Sequence, residues 1–75
     1  MEKYKGLSGN AGILAFSEGV DFIQLKFQDG SVYLYNYKSA GKQRVEQMKR
    51  LAKSGKGLTT FVNQHVREKY ASRLK

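Results

Sequence analysis

The stretch that decides the fold is Phe22-Ile23-Gln24-Leu25-Lys26-Phe27-Gln28-Asp29-Gly30-Ser31-Val32-Tyr33-Leu34-Tyr35-Asn36. Ile23, Leu25 and Phe27 alternate with Phe22, Gln24 and Lys26, and a period of two places the first set on one face of a β-strand. Asp29-Gly30 then gives a strong hairpin signal, because glycine at positive φ lets the chain reverse in step with strand twist. The return strand runs from Ser31 to about Asn36, and the loop length sets its register. A two-residue Asp29-Gly30 loop pairs Phe27 with Val32 and turns Tyr33, Tyr35 and Tyr37 away from the aliphatic face. A three-residue Gln28-Asp29-Gly30 loop, with Gly30 left-handed in a bulge, pairs Leu25 with Tyr33 and Ile23 with Tyr35, so that the tyrosines join the core. A slip of one residue exchanges the faces, and the residues alone leave both registers open.

Upstream, Ile13-Leu14-Ala15-Phe16 reads as a short apolar strand closed by the turn signal Ser17-Glu18-Gly19. Residues 1–12 mix charge with Gly6, Gly9 and Gly12 and show no period, so residues 1–10 are expected to be a loose N-terminal arm. Downstream, Ser39 is placed to cap a helix that runs to about Lys53 and ends at Ser54-Gly55-Lys56-Gly57, with Gly55 in the left-handed C-terminal turn. Helical spacing sets Gly41, Val45, Met48, Leu51 and Ala52 on an apolar arc that also contains Arg44. Lys42, Glu46, Lys49, Arg50 and Lys53 form the wet arc. A second helix is predicted from Thr59 or Thr60 to about Lys69. Leu58, Phe61, Val62, His65, Val66 and Tyr70 lie on its apolar side, Asn63, Gln64 and Arg67 on the other, and residues 71–75 fray.

The resulting expectation is one α+β domain over residues 1–75: a three-stranded antiparallel β-meander packed on one face by two C-terminal helices. With 75 residues there is room for one core only, since a domain near this size buries only about 60% of the surface its unfolded chain exposes. There is no cysteine, hence no disulfide framework and no thiolate metal site, and no run of apolar residues is long enough to cross a bilayer. A soluble, cytoplasmic protein is expected.

Net charge is +8 and unevenly spread. Residues 1–37 hold three Lys or Arg against four Asp or Glu, whereas residues 38–75 hold eleven against two. A basic half of this kind suits an anionic partner, namely nucleic acid, an acidic protein or an anionic membrane surface, although lysines also serve simple solubility.

The order of signals resembles the KTSC domain, a module named for its occurrence at the C-terminus of some lysyl-tRNA synthetases and also found as a stand-alone bacterial protein. The resemblance covers residues 8–73. It is carried by the Leu25-x-Phe27 strand, the Asp29-Gly30 turn, Tyr33-Leu34-Tyr35, Gly57 and the tail Phe61-Val62-Asn63-Gln64-His65-Val66-Arg67-Glu68-Lys69-Tyr70. The chain departs from the family pattern in having no proline and in placing Val62 between Phe61 and Asn63. The resemblance implies the fold, a bacterial or phage source and, through the synthetase context, RNA binding. It also favours the register in which Tyr33 and Tyr35 face inward.

Catalysis finds little to work with. His65 is the single histidine and reads as a semi-buried structural residue, and Glu18, Asp21 and Asp29 sit at or near turns. Gly55-Lys56-Gly57 lacks P-loop spacing. The expectation is a non-catalytic module, without cofactor or metal, that binds RNA or DNA through a basic helical face made of Lys42, Lys49, Arg50, Lys53 and Lys56. Asn63, Arg67, Lys69 and Arg73 continue the interface along the tail. Tyrosines exposed by the first register would stack bases. The competing class is a protein-interaction or structural module that meets an acidic partner or self-associates.

Overall fold

A computed structural model describes residues 1–7 and 12–75; residues 8–10 of the expected arm lie outside the described residues. The central hairpin joins β2 (Ile13–Glu18), β3 (Phe22–Phe27) and β4 (Val32–Asn36), all antiparallel. Leu25 pairs with Tyr33 and Ile23 with Tyr35, the register of the three-residue loop. The Gly30 N–H donates to the Phe27 carbonyl at 2.9 Å, and Gly30 has φ +89°, a conformation costly for any side chain. Asp29 fixes the loop by accepting from both the backbone N–H (2.9 Å) and the hydroxyl (2.6 Å) of Ser31, and these bonds lower its pKa. In β2 a bulge between Ile13 and Ala15 leaves Leu14 exposed, so the inward residues are Ile13 and Phe16, three apart instead of two.

Among the described residues the sheet has five strands, not three. β1 (Glu2–Lys3) pairs with β2, and β5 (Ser72–Arg73) pairs with β4, giving the order β1-β2-β3-β4-β5. Residues 1–7 are therefore not a loose arm. Tyr4 is buried, and its hydroxyl accepts the backbone N–H of Leu58 at 3.0 Å. Nor does the tail fray: Ala71 N–H donates to Leu34 O at 2.6 Å and Leu74 N–H to Val32 O at 2.7 Å.

The helical half is also divided differently. Asn36, not Ser39, is the first cap: its Oδ1 accepts from Ser39 N–H at 2.8 Å while its own N–H donates to Ser39 Oγ at 3.1 Å. This reciprocal pair starts α1 (Tyr37–Ala40), so Tyr37 begins a helix and does not extend the strand. Exposed Gly41 interrupts it, and α2 follows over Lys42–Ser54. Gly55, at φ +83°, closes α2 by donating to Leu51 O at 3.1 Å. Residues 5–7 pack over it so closely that a Cβ there would sit 3.0 Å from Cβ of Lys5. α3 (Leu58–Phe61) runs on into a π-helical segment, Val62–Val66, which ends the helix before Arg67.

Ile13, Phe16, Ile23, Leu25 and Tyr35 from the sheet meet Val45, Met48 and Ala52 of α2 and Leu58, Val62 and Val66 in one core. Among the described residues no buried side-chain nitrogen or oxygen lacks a hydrogen-bond partner. Phe22, Gln24, Lys26, Val32 and Leu34 alternate onto the opposite, half-buried sheet face.

Candidate functional site

Helix α2 carries the densest positive charge, and its two flanks treat that charge differently. On the flank facing the β2–β3 turn, Lys49 Nζ donates to Val20 O at 2.9 Å and pairs with Glu46 Oε2 at 2.9 Å. The Tyr37 hydroxyl donates to the same carboxylate at 2.6 Å and lies 3.0 Å from Val20 O. Those two donors hold the Glu46 carboxyl below its ordinary pKa, and the bond to Glu46 raises that of the Tyr37 phenol. Lys53 Nζ pairs with Glu18 Oε1 at 2.9 Å, which raises the Lys53 pKa. Lys49, expected on the wet face, is thus buried at 9% exposure and spends its amine on the fold.

The other flank faces the α3 side. Arg44, placed by its spacing in the apolar arc, is exposed. With Lys42, Gln43, Gln47, Arg50 and Phe61 it lines an open groove of about 460 Å³, whose carboxylate, Glu46, is the one already held by Lys49. Arg50 donates to Gln47 Oε1, which orients the guanidinium along the helix. Phe61 stacks on His65 with ring centroids 4.7 Å apart; His65 is exposed, not semi-buried as expected. Lys56 is exposed in the loop after α2.

Beyond the π-helical segment the chain turns back, with Lys69 N–H donating to Val66 O at 2.8 Å, and lays Tyr70 against β4. Tyr70 stacks on Tyr33 at 4.7 Å and meets Tyr35 edge-on at 6.4 Å, while Phe27 meets Tyr33 edge-on at 5.6 Å. These four rings, with Val62, Arg67 and Glu68, line a second cavity of about 270 Å³. The Arg73 guanidinium lies 5.6 Å from the Tyr33 ring. The Tyr35 hydroxyl donates to Arg67 O at 3.4 Å; burial, with the neighbouring phenols of Tyr33 and Tyr70, pushes its pKa up to about 12.

The structure therefore brings Lys42 and Arg50 together at one groove and sets Arg67 in the lining of the aromatic cavity, while Arg73 lies outside that lining, against the Tyr33 ring, with its Nε donating to Lys75 O at 3.0 Å. Asn63 is exposed on the π-helical segment outside the cavity lining, and Lys69 is exposed at the turn. Arg44, Phe61, Phe27 and Tyr70 were missed as site residues. The available signal for the last was the spacing Arg67-x-x-Tyr70, which helical periodicity absorbs into a core face. Among the described residues no cluster of three or more His, Asp or Glu could hold a metal ion, and no helix is long and apolar enough to cross a membrane. Comparison with protein-family models, curated proteins and solved structures finds no match to this chain.

Proposed function

We propose that this protein is a small, non-catalytic, KTSC-like nucleic-acid-binding module that holds RNA or DNA by its phosphates on the arginine flank of α2. One observation carries this reading: Lys42, Arg44 and Arg50 surround a single open groove whose carboxylate is already neutralised by Lys49. Guanidinium groups match phosphate geometry by forked hydrogen bonds, and the glutamine amides between them add donors for sugar and phosphate oxygens. Half-buried Phe61 lines the groove, with the exposed His65 ring beside it. Inward Tyr33 and Tyr35 with Tyr70 packed against them support the KTSC-like reading.

The test is fluorescence anisotropy with labelled single-stranded RNA, tRNA and duplex DNA at two salt concentrations. Log affinity is expected to fall with log salt by about 0.9 per contacted phosphate on duplex and about 0.7 on single strands. Arg44→Glu with Arg50→Glu should abolish binding while the thermal transition stays in place. Failure of the native protein to bind any of the three at low salt rejects the reading. A protein-interaction reading draws on a different observation, the half-buried sheet face opposite the helices, which carries Phe22, Val32 and Leu34. Concentration-dependent sedimentation, lost on Leu34→Lys, would support it.

A further inference from the structure

We infer that the sheet face opposite the helices is a docking surface for an acidic amphipathic helix of a partner protein. The inference stands apart from the nucleic-acid reading and uses none of its residues. The helices and Tyr70 of the returning tail pack on the side of Ile23, Leu25 and Tyr35. On the other side, strand register sets Lys3, Ala15, Lys26 and Val32 in one row, because directly paired residues share a face. Leu74, whose N–H donates to Val32 O at 2.7 Å, extends the row past β5, and the bulge in β2 adds Leu14 beside Ala15. Leu14 and Leu74 are 40% and 50% exposed, so this end of the face is open to a partner. Gln24, Leu34 and Ser72 form the next row.

Lys26 decides the charge of the occupant. A lysine in the middle of a sheet is stabilised by a carboxylate directly across from it, yet its cross-strand partners are Ala15 and Val32. Among the described residues neither Lys3 nor Lys26 has an ion pair, whereas Lys49 and Lys53 each reach a carboxylate. No Asp or Glu is paired into either row. The face is thus apolar with two uncompensated cations. A second copy would set those lysines against their like, in a chain of net charge +8. Nucleobases stack on aromatic faces, and the one ring on this side, Phe22, lies so close over Gly19 that a Cβ there would clash with it. A bilayer would take Gln24 and Ser72 into hydrocarbon without partners. A partner strand finds only two-residue border strands to pair with. A helix lying on the face meets every condition: an apolar stripe against Leu14, Val32 and Leu34, carboxylates beside the lysines, and polar side chains for Gln24 and Ser72. Its length follows from α2, whose 13 residues span about 20 Å, the same as a six-residue strand of this sheet.

The experiment titrates the full chain, labelled with ¹⁵N, with three helical peptides of about 13 residues that share one leucine stripe and carry Glu, Gln or Lys on its flanks. The Glu peptide is expected to shift the amide signals of Lys26, Leu34 and Leu74 and to leave those of Arg44 and Arg50 in place. Two ion pairs should make it bind about fivefold tighter than the Gln peptide, and the Lys peptide should not bind. Lys3→Met with Lys26→Met should abolish the preference and keep the affinity for the Gln peptide. Equal affinity of the native chain for the Glu and Gln peptides, shifts confined to α2, or no response to any peptide overturns the inference. So does concentration-dependent sedimentation of the chain alone, which gives the face to a second copy, or a shift of the same amides by phosphatidylserine vesicles but by no peptide, which gives it to a membrane. The native-chain titrations decide the matter even if the double variant does not fold.

Discussion

The two flanks of α2 carry the same kinds of side chain and put them to opposite uses. On one, Lys49 and Lys53 reach across to Val20 O and Glu18 and fasten the helix to the β2–β3 turn. On the other, Arg44 and Arg50 stand over an open groove. A helix of 13 residues with a single stripe of cations in projection thus separates into a structural side and a side free to meet a ligand. Partners contributed from elsewhere in the fold make the distinction: the Val20 carbonyl of an exposed turn holds one amine inward, whereas the groove flank has its carboxylate already satisfied.

The harshest way to break this contrast is to loosen the stripe on which both flanks depend. Met48 is fully buried between them, and Met48→Ala should cost about 2–5 kcal/mol, read by urea unfolding, with both flanks losing function together. Lys49→Met sharpens the contrast. Removing the amine strips Val20 O and Glu46 of a donor, so stability should fall by about 1–3 kcal/mol, while polyanion affinity falls only modestly, through the Glu46 carboxylate left without its counter-charge at the groove. The Arg44→Glu, Arg50→Glu protein should behave in the opposite sense, with stability within about 0.5 kcal/mol of the native value and binding gone.

The smallest effect is pH-dependent. The folded-state pKa of Glu46 lies below its ordinary value, so folding favours the ionised form. Its contribution is present above the ordinary carboxyl range and is lost as pH falls through the lowered value. Glu46→Gln should flatten that part of the acid unfolding curve. An unchanged curve would mean that ionised Glu46 adds nothing to stability.

How much of this was legible in the sequence depended on whether the deciding partner was near in the chain. The hairpin register was narrowed to two by a loop of three or two residues, and the apolar stripe Val45, Met48 and Ala52 followed from spacing alone. Gly55 was readable as a cap because the left-handed turn needs it locally. β1 and β5 were not readable. Two-residue strands have no period, and each exists because a sheet edge lay open to it. Lys49 has the spacing of a solvated residue, and nothing in its own helix announces the Val20 carbonyl, 29 positions away. The aromatic cavity was half visible: the tyrosines of β4 stood out, but Tyr70 reaches them only because the π-helical segment ends the helix early and the chain doubles back.

Those two short flanking strands carry a further consequence. β2, β3 and β4 are the strands long enough to template another chain, and none of them forms a border of the sheet. The borders are Glu2-Lys3 and Ser72-Arg73, two residues each and charged, which leave an incoming strand almost no ladder to extend. A sheet whose inner strands carry phenylalanine, tyrosine, leucine and isoleucine is in this way guarded against amyloid-like stacking by its least conspicuous parts.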